Sequence, residues 1–290
     1  LDERLMNSHP EIKNNRIKYL KGNLLLRHRF YVENKNNFDK VFCFGNLPPS
    51  IKLKASVYTY FQNKLLLKRS KELTLNERIK FKLKSIIFLY LIKKTDYIIV
   101  QTQEMKRVFN STHQTFLTNK ILILPFYDTI KSRYIDSKTK DLFLYVSSGV
   151  SYKNHYRLIE GFQLFYDEYK IGQLHLTITE DFKELYLFID KMVKAGYPIS
   201  NHKKLNRKSL SELYGKASFL IYPSFEESFG LGLVEAIENN CKVIGADLPY
   251  TFDICSPSLT INPKDIESIR QSFIKATTTN IKDTKQLLFN

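Results

Sequence analysis

The chain has 290 residues, 43% of them hydrophobic and 26% charged, enough to bury a core in one large domain or two ordinary ones. Its longest apolar run, residues 86–92, falls short of the roughly 18 a membrane span needs, and Cys43, Cys241 and Cys255 lack the spacing of a disulfide or metal framework, which fits a reducing, cytoplasmic compartment. The net charge of +16 is lopsided, with 28 Lys/Arg against 11 Asp/Glu up to Lys140 and 17 against 18 after it. A basic half of this kind attracts nucleic acid, an anionic membrane leaflet or an acidic substrate; Lys-rich codon usage is the bland alternative.

In chain order, Lys40–Phe44 and residues 55–60 read as strands, the former followed by the rigid turn Asn46-Leu47-Pro48-Pro49. Residues 76–94 read as a long helix, Tyr97–Val100 as a strand leading into a helix, and residues 121–124 as a strand stopped by Pro125. The polar residues 128–140 are expected to link two lobes. Beyond them, 142–147 is a nearly continuous apolar strand, and Leu158, Ile159, Phe162, Phe165 and Tyr169 recur at helical spacing. A strand over 174–179, a helix through Leu185 and Ile189, and a stop at Gly196-Tyr197-Pro198 follow. Ser209 and Glu212 resemble a capping box. Residues 219–222 and Lys242–Ala246 read as strands, and Ile266, Ile269, Phe273 and Ile274 mark a last helix. Alternating strands and helices of this kind predict parallel α/β sheets. The expected division is 1–128, 141–275 and a tail from 276 to 290, with a cleft between two Rossmann-like lobes. The first lobe reads as short, about 35–50 residues below an ordinary one.

The informative stretch is 222–236, YPSFEESFGLGLVEA. A strand stops at Pro223, a loop carries Glu226 and Glu227, and a helix starts near Phe229-Gly230-Leu231. Gly230 permits close backbone approach, and a helix N-terminus suits a diphosphate. Glu235, one turn further in, can reach a neighbouring hydroxyl. Six histidines share no metal-like spacing; His155 could line the cleft, and the loop 200–205 could flank a bound base.

Two glutamates seven residues apart across such a junction resemble the E-x7-E motif of family-4-type retaining glycosyltransferases of bacterial polysaccharide and lipopolysaccharide synthesis. The resemblance takes in Ser224, the run Lys242 to Asp247, and residues 145–155 (YVSSGVSYKNH). It implies the two-lobed GT-B fold, a donor-phosphate role for Lys153, a ribose role for Glu235 and a sugar contact at Glu227. Ser148 stands where the family usually has an arginine, which leaves Lys153 and backbone dipoles to stabilise the leaving group. Ser148 and Asn154, with Phe229, Gly230 and Leu231, complete the expected donor contacts. No Asp-x-Asp triplet occurs, so no metal and no cofactor beyond the nucleoside diphosphate sugar are expected. The resemblance further implies a glycan or lipid-linked acceptor, with peripheral contact at the anionic inner leaflet. A nucleotide-sugar epimerase of the same fold is the alternative enzyme. A basic nucleic-acid-binding protein is the non-enzymatic one, disfavoured because Tyr58, Phe61 and Phe88 fall in core-like patterns rather than on a stacking platform.

Overall fold

The computed structural model describes residues 19, 21–68, 70–112, 120–128, 130–132 and 138–288. They form two compact units: the described residues up to Lys68, those of 78–101 and those of 105–125 make one, while those of 70–77, 102–104 and from 126 onward make the other. Each is α/β with its own parallel sheet, the class expected from the alternating pattern. The expected linker falls partly on 129 and 133–137, outside the described residues. Its described part is not a solvated tether, because Ile130 is buried in the core of the second unit. Asn239 fixes this stretch, accepting from the Ser132 amide at 2.7 Å and donating to the Ile130 carbonyl at 2.8 Å.

In the first unit, α1 (Leu24–Glu33) precedes four parallel strands, β1 (Lys40–Phe44), β2 (Ser56–Tyr60), β3 (Tyr97–Val100) and β4 (Ile121–Ile123), in that spatial order. Helix α2 (Leu75–Ile92) lies between β2 and β3 in sequence, and α3 (Gln103–Thr112) follows β3. Ile98, Val100 and Ile121 of the sheet pack with Phe88 and Ile92 of α2 and Met105 and Phe109 of α3. Alternate strand residues face alternate sides, which is why every second apolar residue enters this cluster. A capping box opens α2. Thr74 Oγ1 accepts from the Glu77 amide at 3.3 Å, and Glu77 Oε2 accepts from the Thr74 amide at 2.9 Å.

The second unit carries β5 (Thr139–Tyr145), α4 (His155–Tyr169), β6 (Gln173–Leu176), α5 (Lys183–Lys194), β7 (Ile199–Asn201), α6 (Arg207–Lys216) and β8 (Ala217–Tyr222). There follow α7 (Leu231–Glu238), β9 (Lys242–Ala246), α8 (Pro249–Ile254), β10 (Cys255–Ser256), β11 (Leu259–Ile261), α9 (Ile266–Thr278) and β12 (Lys285–Gln286). Six strands form one parallel sheet, β11-β9-β8-β5-β6-β7, and β10 pairs with β12 in a small antiparallel ribbon. The last described residues are thus partly tied into the unit. Strand β6 stops three residues earlier than expected. Asn201 takes over the pairing there, accepting from the Ile178 amide at 2.8 Å and donating to its carbonyl at 2.9 Å. The box expected at Ser209 is also displaced. Asn206 caps α6 and accepts from the Ser209 amide at 2.9 Å; asparagine is among the best N-caps, and the polar Arg207-Lys208 concealed the true start.

Helices α4 and α9 touch at Gly161, where a methyl group would come within 2.8 Å of Ile269 Cγ2 and 3.4 Å of the Arg270 amide. The helix backbone cannot yield as a side-chain tip would. Gly161→Val is therefore expected to destabilise the protein by about 1–3 kcal/mol, read as a lower denaturant midpoint. An unchanged midpoint would show that the two helices can separate freely.

Candidate active site

The six-stranded sheet is wound outward from β5 in two directions, towards β6 and β7 on one side and towards β8, β9 and β11 on the other. Right-handed crossovers running in opposite directions place their helices on opposite faces. The connections leaving the carboxyl ends of the neighbours β5 and β8 therefore part and leave a crevice, where sheets of this kind take ligands. Ser148, Lys153, Asn154, Glu227, Phe229, Gly230, Leu231 and Glu235 all lie in one of these two connections or in the helix that follows β8.

Hydrogen bonds join the two connections and fix the first of them on its own strand. The Phe225 amide donates to the Tyr152 carbonyl at 2.8 Å, and Tyr145 Oη donates to the Lys153 carbonyl at 2.8 Å. Across this junction the Lys153 ammonium is hydrogen-bonded and ion-paired to Glu227 Oε1, with side chains only 12% and 10% exposed. Tyr145, Tyr222 and Tyr250 are buried around the carboxylate. Burial first, and then the charge of Glu227, pushes all three phenols well above their ordinary range, so they remain protonated hydrogen-bond donors. Tyr250 Oη donates to the Ser224 carbonyl at 2.7 Å and fixes the loop before Glu227.

Glu235 is linked to this junction through Tyr222, Gly232 and Tyr214. Lys153 Nζ sits 5.9 Å from the centre of the Tyr222 ring. A methyl group on Gly232 would come within 3.0 Å of that ring and 3.4 Å of Tyr214 Oη. Tyr214 Oη in turn donates to Glu235 Oε2 at 2.9 Å. The Glu235 carboxyl is buried, which pushes its pKa up to about 7 against the smaller opposing effects of the Tyr214 hydrogen bond and the charge of Arg207. Arg207 also pairs with Asp128 at 2.9 Å.

The remaining expected contacts differ in their surroundings. Gly230 caps α7 at φ +82°, a conformation that favours glycine, and the first amides of a helix have no partner within it. Leu231 at that helix start and Ser148 in the loop after β5 are exposed. Phe229 is buried, its ring 5.5 Å from that of Tyr127. Asn154 commits its side chain internally, donating to the Pro223 carbonyl at 3.2 Å and the Pro263 carbonyl at 2.6 Å and accepting from Arg157 at 3.3 Å. It thereby clips the two connections together from a left-handed backbone, φ +65°. His155 is buried against Tyr145, with Nε2 3.0 Å from Ser147 Oγ. Burial and the nearby Lys153 hold its pKa at about 3, so the ring is neutral at working pH.

Tyr214 and Arg207 were not foreseen as members of the site. In the sequence Tyr214 is one apolar position on a helix, 21 residues before Glu235, and only strand order brings the two together. The loop 200–205 also reads differently in the structure, because residues up to Asn201 belong to edge strand β7. His202 Nε2 approaches His175 Nδ1 at 3.0 Å. Among the described residues no group of three or more His, Cys, Asp or Glu could hold a metal ion.

Residues 127–285 match the family model for glycosyl transferases group 1. The chain is 27% identical over 187 residues to the O-antigen chain mannosyltransferase RfbU of Salmonella typhimurium, covering 63% of this chain and 51% of that protein. It thus spans about half the length of that relative. The crystal structure of TarM matches with a TM-score of 0.66 at 16% identity, over 90% of this chain and 52% of TarM. The pneumococcal O-GlcNAc transferase GtfA in complex with UDP and GlcNAc matches with a TM-score of 0.62 at 16% identity, over 90% and 54%. These structural likenesses show the GT-B fold.

The buried pair supplies a direct test of the site's electrostatics. Lys153→Met leaves a carboxylate without its cation and is expected to cost about 3 kcal/mol, whereas Lys153→Met with Glu227→Gln recovers most of the loss. Chemical denaturation of the three variants measures this; a double variant as unstable as the single would refute the coupling.

Proposed function

The chain belongs to the glycosyl transferases group 1 family, and on that premise we propose that it moves a glycosyl group from a nucleoside diphosphate sugar to an acceptor hydroxyl with retention of configuration. One observation carries the reading. Lys153 and Glu227 pair across the carboxyl ends of adjacent strands where the sheet reverses its order, and the helix that follows carries the buried Glu235, hydrogen-bonded to Tyr214. The acceptor is a growing glycan or a lipid-linked sugar at the inner, anionic membrane leaflet, as suits a relative of an O-antigen mannosyltransferase.

In the proposed reaction the acceptor oxygen bonds to the anomeric carbon as the bond from that carbon to the phosphate oxygen breaks. The departing β-phosphate takes the acceptor's proton, and a nucleoside diphosphate leaves. Lys153 and the amides that open α7 offset the charge growing on the phosphate. Glu227 accepts from hydroxyls of the transferred sugar, and its pairing with Lys153 aligns the two groups before the donor arrives. Glu235 accepts from the ribose hydroxyls, with Tyr214 orienting its carboxylate. Chemistry supported by a lysine and backbone dipoles needs no metal, so transfer is expected to survive chelation.

A thermal-shift panel of nucleoside diphosphates and their sugars tests the donor site without an acceptor. At least one is expected to raise the melting temperature, and no response to any of them would sink the assignment. Glu235 adds a signed pH dependence. Its folded pKa of about 7 exceeds the ordinary glutamate value of 4.5, so the folded protein holds the extra proton between those values. The free protein therefore loses stability from this group as pH rises through that window. Ribose hydroxyls donate best to the ionised carboxylate, so nucleotide-sugar affinity is expected to rise with pH through about 7. Glu235→Gln should flatten both trends; wild-type pH profiles in that variant would remove Glu235 from the site.

A further inference from the structure

The outer side of α2 is unlike that of an ordinary surface helix. Phe88 and Ile92 turn into the core of the first unit, as an amphipathic helix requires. Yet Ile79, Leu83, Ile86, Ile87 and Tyr90 are also exposed, with Leu83 at 59%, Ile86 at 56% and Tyr90 at 66%. At 3.6 residues per turn these five positions share an arc of about 100°, opposite the buried side. The helix is apolar on two faces, and only one of them is covered by the unit's own core.

Charge identifies what suits the other face. Lys82 and Lys93 flank the stripe on one side and Lys80 on the other, with Arg78 and Lys84 further round on the same two sides, all of them exposed. Glu77 is the single acidic residue of the eighteen-residue helix, and its carboxylate is engaged in the capping box at the N-terminus. An apolar stripe between two rows of long cationic side chains matches the boundary between acyl chains and anionic headgroups. The stripe can sink into the first, while lysine stems lie along apolar surface and carry their ammonium groups to the second. No helix among the described residues is long and apolar enough to cross a membrane; the stripe suits a helix lying in the membrane plane.

We propose that the outward face of α2 docks the protein on an anionic lipid bilayer, with the helix axis parallel to the membrane. This inference concerns the first unit alone and stands or falls separately from the donor site. The chain contains no tryptophan, so Ile86→Trp introduces a unique fluorescent reporter on the stripe, and Leu187→Trp on α5 of the second unit serves as its control. With vesicles of phosphatidylcholine and phosphatidylglycerol, the emission of the Ile86→Trp variant is expected to shift to the blue and that of the Leu187→Trp variant to stay fixed. Vesicles of phosphatidylcholine alone should move neither. In co-sedimentation of the full chain, Leu83→Gln with Ile86→Gln keeps every charge and is expected to weaken partitioning roughly tenfold or more, with the melting temperature unchanged. Two results would overturn the proposal. One is emission from the stripe reporter that ignores anionic vesicles, with binding that responds to salt but not to the double glutamine variant, which would mean diffuse charge attraction only. The other is a dimer in vesicle-free buffer that the double variant splits while vesicles are not bound, which would assign the stripe to a second copy of this chain.

Discussion

A buried ammonium and a buried carboxylate each carry a desolvation cost that only a close partner offsets. Lys153 and Glu227 can meet because their strands, β5 and β8, are hydrogen-bonded neighbours although 74 residues separate the pair in sequence. That adjacency follows from the reversal of strand order beside β5. Every other feature of the site is arranged around the junction it creates. Asn154 and the Tyr152 carbonyl bind one connection to the other, so the pair's geometry is set by backbone contacts rather than by the flexible lysine stem.

The tyrosines around Glu227 give the site its rigidity. Tyr145, Tyr222 and Tyr250 are buried phenols that keep their protons, because burial and the neighbouring carboxylate suppress their ionisation. The hydroxyls of Tyr145 and Tyr250 fix carbonyls on both connections, and the Tyr222 ring lies 5.9 Å from the Lys153 ammonium. Gly232 is part of the same construction, since a methyl group there would crowd Tyr222 at 3.0 Å and Tyr214 Oη at 3.4 Å. This glycine thus sets how closely the helix start approaches the strand end.

Much of this was legible in the sequence where the physics is local. The apolar runs of β5, β8 and β9 and the periodicity of α4 follow from burial on a parallel sheet, and the glutamate spacing with Gly230 announced a strand, a turn and a helix. What remained hidden depends on partners distant in sequence. The three-residue strands β7 and β11 are too short to show a period. The end of β6 is decided by the Asn201 side chain, the start of α6 by an asparagine ahead of the expected box, and the environment of Glu235 by Tyr214. Asn154 carries the same lesson for function. Its position beside Lys153 suggested a ligand contact, while its amide is occupied in joining two loops.

The two glutamates of the motif look equivalent in sequence, and the fold makes them unlike. Glu227 faces a cation across the junction of two loops. Glu235 faces a neutral phenol inside the helix packing, where burial raises its pKa to about 7. Groups set in such different surroundings suit different partners. The first keeps a lysine aligned within the crevice. The second changes its charge near neutrality, so whatever it binds is linked to pH. The seven-residue spacing matters because it carries the chain from the loop at the end of β8 to the second turn of α7, and so from the first of these environments to the second.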